Sequence, residues 1–141
     1  MALARFTTYV ARDRSRPRET IKGYGWRLLA ANNRDVARSA RLFSDVDECL
    51  VAVAELRHQF DRSVPVALRI GRSEWSWRLR IDDVDVAVSS RSYQRRLQCT
   101  AACDLFLELV PQAVVADDTI IIPPRSETAD GAPSATARPA G

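Results

Sequence analysis

The sequence has few of the side chains that carry acid–base and metal chemistry. Its 141 residues include one histidine, His58, one lysine, Lys22, and three cysteines. It contains no phosphate-binding glycine loop, no dinucleotide glycine fingerprint, no His-Glu-x-x-His pattern and no Gly-x-Ser-x-Gly pattern. One histidine is little material for catalysis or for a zinc site. We therefore predict no catalytic residues, no metal site and no cofactor, and we expect the protein not to be an enzyme.

Long apolar runs are also absent. The stretches Leu50–Ala54 and Thr119–Ile122 are far shorter than the roughly 20 residues that cross a bilayer. The first residues show no apolar signal segment, and the odd cysteine count argues against a disulfide framework. Cys99 and Cys103 are four residues apart, which favours two small buried side chains on one helix face. We expect a cytoplasmic protein that does not enter a membrane.

The composition is typical of a folded domain, with 46% hydrophobic and 28% charged residues. The net charge is only +3, but twenty of the basic residues are arginine. Such an excess suits the binding of phosphates or other anions. A GC-rich coding sequence also produces it, and the interleaved acidic residues favour that second explanation.

The clearest positive signal is an internal repeat. Trp26-Arg27-Leu28 recurs as Trp77-Arg78-Leu79, and Asp35-Val36-Ala37 recurs as Asp85-Val86-Ala87. Self-similarity at a fixed spacing indicates a duplicated structural unit. We predict one domain, residues 1–124, made of two repeats of about 4–60 and 61–124. A disordered tail, 125–141, follows it, since its composition offers little to bury.

Within each unit the apolar period changes from two to 3.6, which predicts a group of strands followed by a helix. Asn32-Asn33-Arg34 and Asp82-Asp83 predict tight hairpin turns, because Asn and Asp tolerate positive φ. We expect the first helix to begin at Ser44, with Asp47 in the reciprocal capping position. The predicted strands are Arg5–Ala11, Tyr24–Ala30, Asp35–Ala40, Val64–Ile70, Trp75–Ile81, Val84–Ser90 and Asp117–Pro123; the second helix is Leu97–Val110, and an extra loop spans Arg12–Gly23.

This order of motifs resembles that of the YegP-like family, a domain of unknown function. The family pattern is an aromatic-Arg-Leu strand, a turn, a return strand with Val-Ala-x-Ser, an aromatic residue and a helix. Trp26 to Phe43 and Trp77 to Tyr93 follow it. The resemblance implies an α+β fold in which two tandem β(3)-α-β repeats form one antiparallel sheet, exchange terminal strands and pack both helices on one face. It implies no activity.

The candidate binding residues are basic and lie in the second repeat, interleaved with Trp75, Trp77 and Tyr93: Arg78, Arg80, Arg91, Arg95 and Arg96. Together they could present guanidinium groups and an aromatic face to a phosphate backbone or another anion. Strand alternation, however, places both tryptophans on the core face and Arg78 on the opposite one.

We favour a structural or interaction module that uses the exposed sheet face, with anion or nucleic-acid binding by these arginines as the alternative. Asp82, Asp83 and Asp85 could hold Ca²⁺ or Mg²⁺, but turn chemistry explains them more simply. The partner is an unknown protein or none. We expect a monomer, because two fused units already supply the pairing for which a single unit would need a second chain.

Overall fold

A computed structural model describes residues 3–13 and 20–121. In chain order its elements are β1 (Arg5–Asp13), β2 (Thr20–Leu29), β3 (Asp35–Ser39), α1 (Val46–His58), a 3-10 turn (Phe60–Arg62), β4 (Val64–Ile70), β5 (Glu74–Ile81), β6 (Val84–Ser89), α2 (Arg96–Leu109) and β7 (Val114–Ile121). The α+β class predicted from the sequence is confirmed.

The described strands form one sheet in the order β4-β5-β6-β3-β2-β1-β7. Neighbouring strands are antiparallel except β1 and β7, which run parallel with Arg5 opposite Val114. The prediction of an antiparallel sheet is therefore wrong at this pair, and the sheet is mixed. Parallel neighbours need a long connection, and the chain between β1 and β7 contains both helices.

Both helices pack on the same face of the sheet and share one apolar core. Phe106 of α2 stacks on Trp26 of β2, with ring centroids 6.4 Å apart, and on Trp77 of β5, with centroids 5.0 Å apart. Phe6 of β1 meets Trp26 edge-on. One side chain of α2 thus joins the two halves of the sheet. We call the opposite side of the sheet the helix-free face.

The two halves of the sheet carry the same irregularity. The β2–β3 register shifts between Leu28 and Leu29, and the β5–β6 register shifts between Leu79 and Arg80. A bulge of this kind inserts one residue and re-aims its neighbours. Next to the bulge in the second half, the Asp85 carboxylate lies on the helix-free face, where it forms an ion pair with Arg80.

The predicted turn at Asp82-Asp83 is confirmed, and the first turn lies one residue earlier than predicted, at Ala31 and Asn32. Asn33 has φ 69°, and Asp82 and Asp83 have φ 52° and 64°. Positive φ at both central residues defines the type I′ turn that suits a two-residue hairpin. The β5–β6 hairpin therefore closes without a glycine.

The start of α1 lies one residue later than predicted. Asp45, not Ser44, is the N-cap, and its Oδ1 accepts a hydrogen bond from the Glu48 N–H at 2.9 Å. Glu48 reaches back and accepts from the Ser44 N–H at 3.0 Å, in place of Asp47. The buried stripe of α1 is Cys49, Val53 and Leu56. Ser44 and Asp45 are both suitable N-cap residues, and Asp47 and Glu48 are both suitable reciprocal acceptors, so the sequence could not distinguish between them.

The loop predicted at Arg12–Gly23 is wrong at both ends. After a bulge at Ala11 and Arg12, β1 continues to Asp13 and pairs with β2, which begins at Thr20. Because β1 and β2 pair with each other, the hairpin extends to Asp13 and Thr20, into a segment whose arginine-rich sequence indicates a loop. The last strand likewise begins earlier than predicted, at Val114, where it meets Arg5. Residues 14–19 and the predicted tail 125–141 lie outside the described residues.

Candidate functional site

The structure divides the five predicted arginines between two places. Arg78 and Arg80 lie on the helix-free face, between buried Trp77, Leu79 and Ile81 in β5. Arg95 is the N-cap of α2 and Arg96 is its first residue, while Arg91 precedes them in the segment between β6 and α2. These three form the second group. The predicted set therefore does not form one surface. We call the second group the basic cluster.

Arg78 and Arg80 have acidic partners. Arg80 Nε donates to Asp85 Oδ1 at 2.7 Å, and Arg78 Nη1 lies 3.5 Å from Asp85 Oδ2. Arg27 and Arg38 meet Asp35 in the same way in the first half of the sheet, at 3.5 and 3.1 Å. These pairs reduce the positive potential that the arginines would otherwise offer to an anion.

The basic cluster differs in having no such partners. Among residues 3–13 and 20–121, no carboxylate pairs with the guanidinium groups of Arg91, Arg95 and Arg96. Arg95 is the N-cap of α2 and provides no side-chain hydrogen bond, and the first turn has no acidic residue. The first α-helical bond runs from the Cys99 N–H to the Arg95 carbonyl, at 3.1 Å. The N–H groups of the α2 residues before Cys99 receive no hydrogen bond from the Arg95 side chain, so this side chain does not cap the positive end of the helix dipole.

An aromatic side chain supports this cluster. The Arg96 guanidinium lies 5.4 Å from the centroid of the Trp75 ring, and Trp75 packs partly against the core. Trp75 and Tyr93 exchange backbone hydrogen bonds at 2.6 and 2.7 Å. Trp77, in contrast, is 1% exposed, so it belongs to the core.

The three cysteines are free and buried. Burial raises the pKa of Cys49 and of Cys99 to about 11 and that of Cys103 to about 12. A thiol attacks as the thiolate, so these groups are unreactive at neutral pH. His58 is exposed at the end of α1. The thiols therefore act as small core side chains.

The three acidic residues considered as a Ca²⁺ or Mg²⁺ site, Asp82, Asp83 and Asp85, lie in a turn or form ion pairs. Asp82 and Asp83 are the central residues of the β5–β6 turn, and Asp82 accepts a hydrogen bond from Arg62 at 3.0 Å. Asp85 binds the two β5 arginines. Within the described part of the chain, no group of three or more His, Cys, Asp or Glu residues could hold a metal ion.

One feature was not predicted: β4 is an edge strand whose outer side pairs with no other described strand. We call this side the open edge. The corresponding outer side of β1 is occupied by β7. The sequence carried one signal of the edge, because proline within a strand is tolerated chiefly where its missing N–H faces solvent, and Pro65 lies inside β4.

The backbone groups that face outward from β4 follow from its pairing. Trp75 exchanges hydrogen bonds with Tyr93 on the β6 side of β5, so Ser76 directs its N–H and C=O toward Leu68 in β4. The backbone N–H and C=O groups of Leu68, and of every second residue from it, therefore face β5. The residues between them present their backbone groups to the open edge: Pro65, Ala67 and Arg69.

A row of aliphatic side chains accompanies the open edge. Ala67 packs against the core, so its neighbours in β4 point to the helix-free face. Two of them are large and exposed, Val64 at 57% and Ile70 at 45%. We call the four side chains the aliphatic row: Val64, Val66, Leu68 and Ile70.

The described part of the chain contains no helix long and apolar enough to span a bilayer. No protein-family model matches the sequence, and no curated protein matches it. Two solved structures do match its fold. The fold is that of the YegP-like proteins.

The first is the solution structure of YegP from E. coli, a protein of unknown function, with a TM-score of 0.59 and 14% sequence identity over 84% of this chain and 96% of YegP. The second is a UPF0339 protein from Shewanella oneidensis, with a TM-score of 0.59 and 10% identity over 81% of this chain and 92% of that protein. The resemblance predicted from the strand motifs is confirmed at the level of the fold.

Proposed function

We propose that the protein is a non-enzymatic interaction module that binds an extended segment of polypeptide along the open edge of β4. The observation that carries this proposal is that β4 combines outward backbone groups, which no other described strand pairs with, and the exposed aliphatic row. An added strand obtains affinity from main-chain hydrogen bonds and selectivity from alternate side chains. The surface lies at the margin of the exposed sheet face that the sequence analysis favoured.

The internal repeat supports this choice of surface. We infer that β1-β2-β3-α1 and β4-β5-β6-α2 are two copies of one unit within a single domain. They share the order of elements and the bulge after the second strand, and each has an isolated bridge, Tyr24 to Phe43 and Trp75 to Tyr93. In the first copy the outer strand has a partner, β7. The same side of the second copy pairs with no strand of the described residues.

The chemistry of the remaining groups agrees with a binding role. The three thiols are buried and protonated at neutral pH, and His58 lies alone at a helix end. Free thiols suit a reducing compartment, which fits a cytoplasmic protein. The β3–β6 pairing joins the two units within one chain, so the dilute protein is expected to be a monomer.

The test of the proposal is a selection from a random peptide library against the wild type, followed by binding measurements on Ala67→Pro. Proline at 67 removes an outward donor, while the bonds of Val66 and Leu68 to β5 remain. We expect binding to fall at least tenfold. Pro65→Ala is the matched variant, since it adds an outward donor, and we expect tighter binding. Selected peptides that bind Ala67→Pro and the wild type equally would disprove the proposal.

A second candidate function is anion binding by the basic cluster. It is favoured because no carboxylate among the described residues pairs with its three guanidinium groups and because the Arg95 side chain does not cap α2. Charge and free N–H groups at a helix N-terminus both attract phosphate. Retention on heparin and on single-stranded DNA should weaken in an Arg91→Ala, Arg95→Ala, Arg96→Ala variant. The control is Arg78→Ala with Arg80→Ala, two arginines that share the carboxylate of Asp85. Equal retention of both variants would exclude the cluster.

A further inference from the structure

We infer that the segment bound at the open edge is strand β4 of a second copy of this chain, paired antiparallel with Ala67 on the two-fold axis. The inference rests on the proposed function, because it names the partner for the same edge. It does not require an unknown protein.

The sequence of β4 is self-complementary about Ala67. In this register Val66 lies opposite Leu68 of the second copy, and Val64 lies opposite Ile70 of the second copy. The aliphatic rows of both chains then meet on the helix-free face and cover each other. Cross-strand pairs of large aliphatic residues stabilise a sheet. A two-fold interface brings the same patch from both chains into contact, as this arrangement does.

The backbone groups fit the same register. Pro65, Ala67 and Arg69 direct their backbone groups outward. Ala67 would donate to and accept from Ala67 of the second copy. The Arg69 N–H would donate to the Pro65 carbonyl of the second copy, so the missing N–H of proline removes one bond at each end and no more. The pairing uses outward groups only and leaves the β4–β5 ladder intact.

Charge selects this register over its alternatives. Arg69 is the only charged residue in β4, and here it faces a proline. Moving the axis to Arg69 would place two guanidinium groups directly opposite each other, which is destabilising. Moving it to Leu68 would leave Val64 and Pro65 without partners. The axis at Ala67 gives the longest overlap without like-charge contact.

The other edge of the sheet is less suited to such pairing. Its strand, β7, contains the adjacent residues Asp117 and Asp118, and charged residues on an edge strand oppose pairing. Strand β4 has one arginine among seven residues, and that arginine is occupied by the Arg72 carbonyl, which accepts from its guanidinium. The open edge of β4 is therefore the one that accepts a second copy.

The interface formed by one seven-residue strand is small. Stable complexes generally bury more than about 1,000 Å² in total, so we expect a weak, concentration-dependent dimer. The dilute protein remains monomeric, as the sequence analysis predicts. Self-pairing becomes measurable at total concentrations from about 10 µM to about 1 mM.

A charge-swap experiment tests the register. Sedimentation velocity at low salt should show the wild-type mass rising with concentration. Val66→Lys alone and Leu68→Glu alone should each stay monomeric, because each puts charges into the facing aliphatic rows. An equimolar mixture should recover a heterodimer, since Lys and Glu then lie opposite each other. Both substituted side chains are half-exposed, and circular dichroism melts confirm that each variant is folded.

A measurement on the unmodified protein accompanies it. Amide hydrogen exchange at Ala67 and Arg69 should slow in concentrated solution, while exchange at Val66 and Leu68, whose amides face β5, should stay constant. Wild type that remains monomeric with unchanged exchange would overturn the inference. So would dimerisation that persists in both single variants, because the interface would then lie elsewhere.

The two proposals fail in distinguishable ways. A monomeric wild type that still binds library peptides, with the binding lost in Ala67→Pro, retains the open edge as a binding site and removes the second copy as its partner. Absence of both self-pairing and Ala67-dependent peptide binding removes both proposals. Self-pairing that Ala67→Pro abolishes supports both.

Discussion

The ring of Tyr9 in β1 lies directly over Gly25 in β2, so that a Cβ atom built at residue 25 would come within 2.5 Å of Tyr9 Cζ and Oη. Real side chains essentially never approach so closely. Tyr9 is buried, and the Arg38 guanidinium lies 5.6 Å from its ring centroid. Glycine at 25 is therefore required by the aromatic side chain across the strand pair.

Gly25→Ala should destabilise the fold by about 2 kcal/mol, the range found for overpacked sites. The second half of the sheet shows which pair can replace Tyr9 and Gly25. Gly25 lies opposite Tyr9 in the first half, and at the matching place in the second half Ser76 lies opposite Leu68. Tyr9→Leu combined with Gly25→Ser should be more stable than the sum of the two single changes predicts. Urea unfolding of the four proteins measures this coupling. Simple additivity would contradict the packing described.

The turn of the β5–β6 hairpin should accept glycine with a gain in stability. Asp83 adopts φ 64°, which glycine enters without steric strain. We expect Asp83→Gly to raise the free energy of unfolding by about 0.5 kcal/mol and Asp83→Ala to lower it by a similar amount. Thermal melts of both variants provide the measurement. A lower stability for the glycine variant would show that the Asp83 side chain itself stabilises the turn.

The two helix starts should respond in opposite directions. Asp45 caps α1 through the Glu48 N–H, so Asp45→Ala should cost about 1 kcal/mol. Arg95 offers α2 no cap, and Arg95→Asp should add stability of about the same size, because a carboxylate both caps the helix and favours its dipole. Chemical denaturation gives both values. If the basic cluster binds anions, the stabilised Arg95→Asp protein should bind heparin more weakly.

Alkaline solution should destabilise the protein through its thiols. Burial raises the pKa of Cys103 to about 12 in the folded chain, from an ordinary value near 9.0. The unfolded chain therefore loses the proton first, and the stability present below pH 9 is lost as the pH rises toward 12. Urea midpoints should fall between pH 8 and pH 10. Cys103→Ala should show a shallower decline, whatever its absolute stability.

Local sequence signals predicted the elements well where one strand or turn decides its own conformation. The alternation around Trp77 placed β5 correctly within a residue, and Asp82-Asp83 gave the turn. The i, i+3, i+4, i+7 spacing predicts a buried stripe of Val46, Cys49, Leu50, Val53 and Leu56 in α1. Cys49, Val53 and Leu56 are buried, whereas Leu50 is exposed and Val46 is half-buried. These patterns depend on periods of 2 and 3.6 residues, which the sequence contains directly.

Relations between distant elements could not be predicted in the same way. The parallel pairing of β7 with β1 depends on where the chain goes after α2, and no short pattern encodes that path. The compensation of Arg78 by Asp85 depends on a bulge that appears only when two strands are paired. Arg80 lies on the helix-free face, whereas Arg96 lies over the ring of Trp75, which packs against the core. The open edge of β4 is likewise a property of the whole sheet order.

The parallel pairing of β1 with β7 also affects when the sheet can be completed during protein synthesis. Strand β1 leaves the ribosome before the other described strands, and its parallel neighbour is the last described strand. Until Val114–Ile121 has emerged, the outer side of β1 has no strand to pair with, and the nascent sheet presents free hydrogen-bonding groups at both margins. Such non-local pairing slows folding. A ribosome-bound chain that stops before β7 should therefore be more readily degraded and more prone to aggregate than the finished protein.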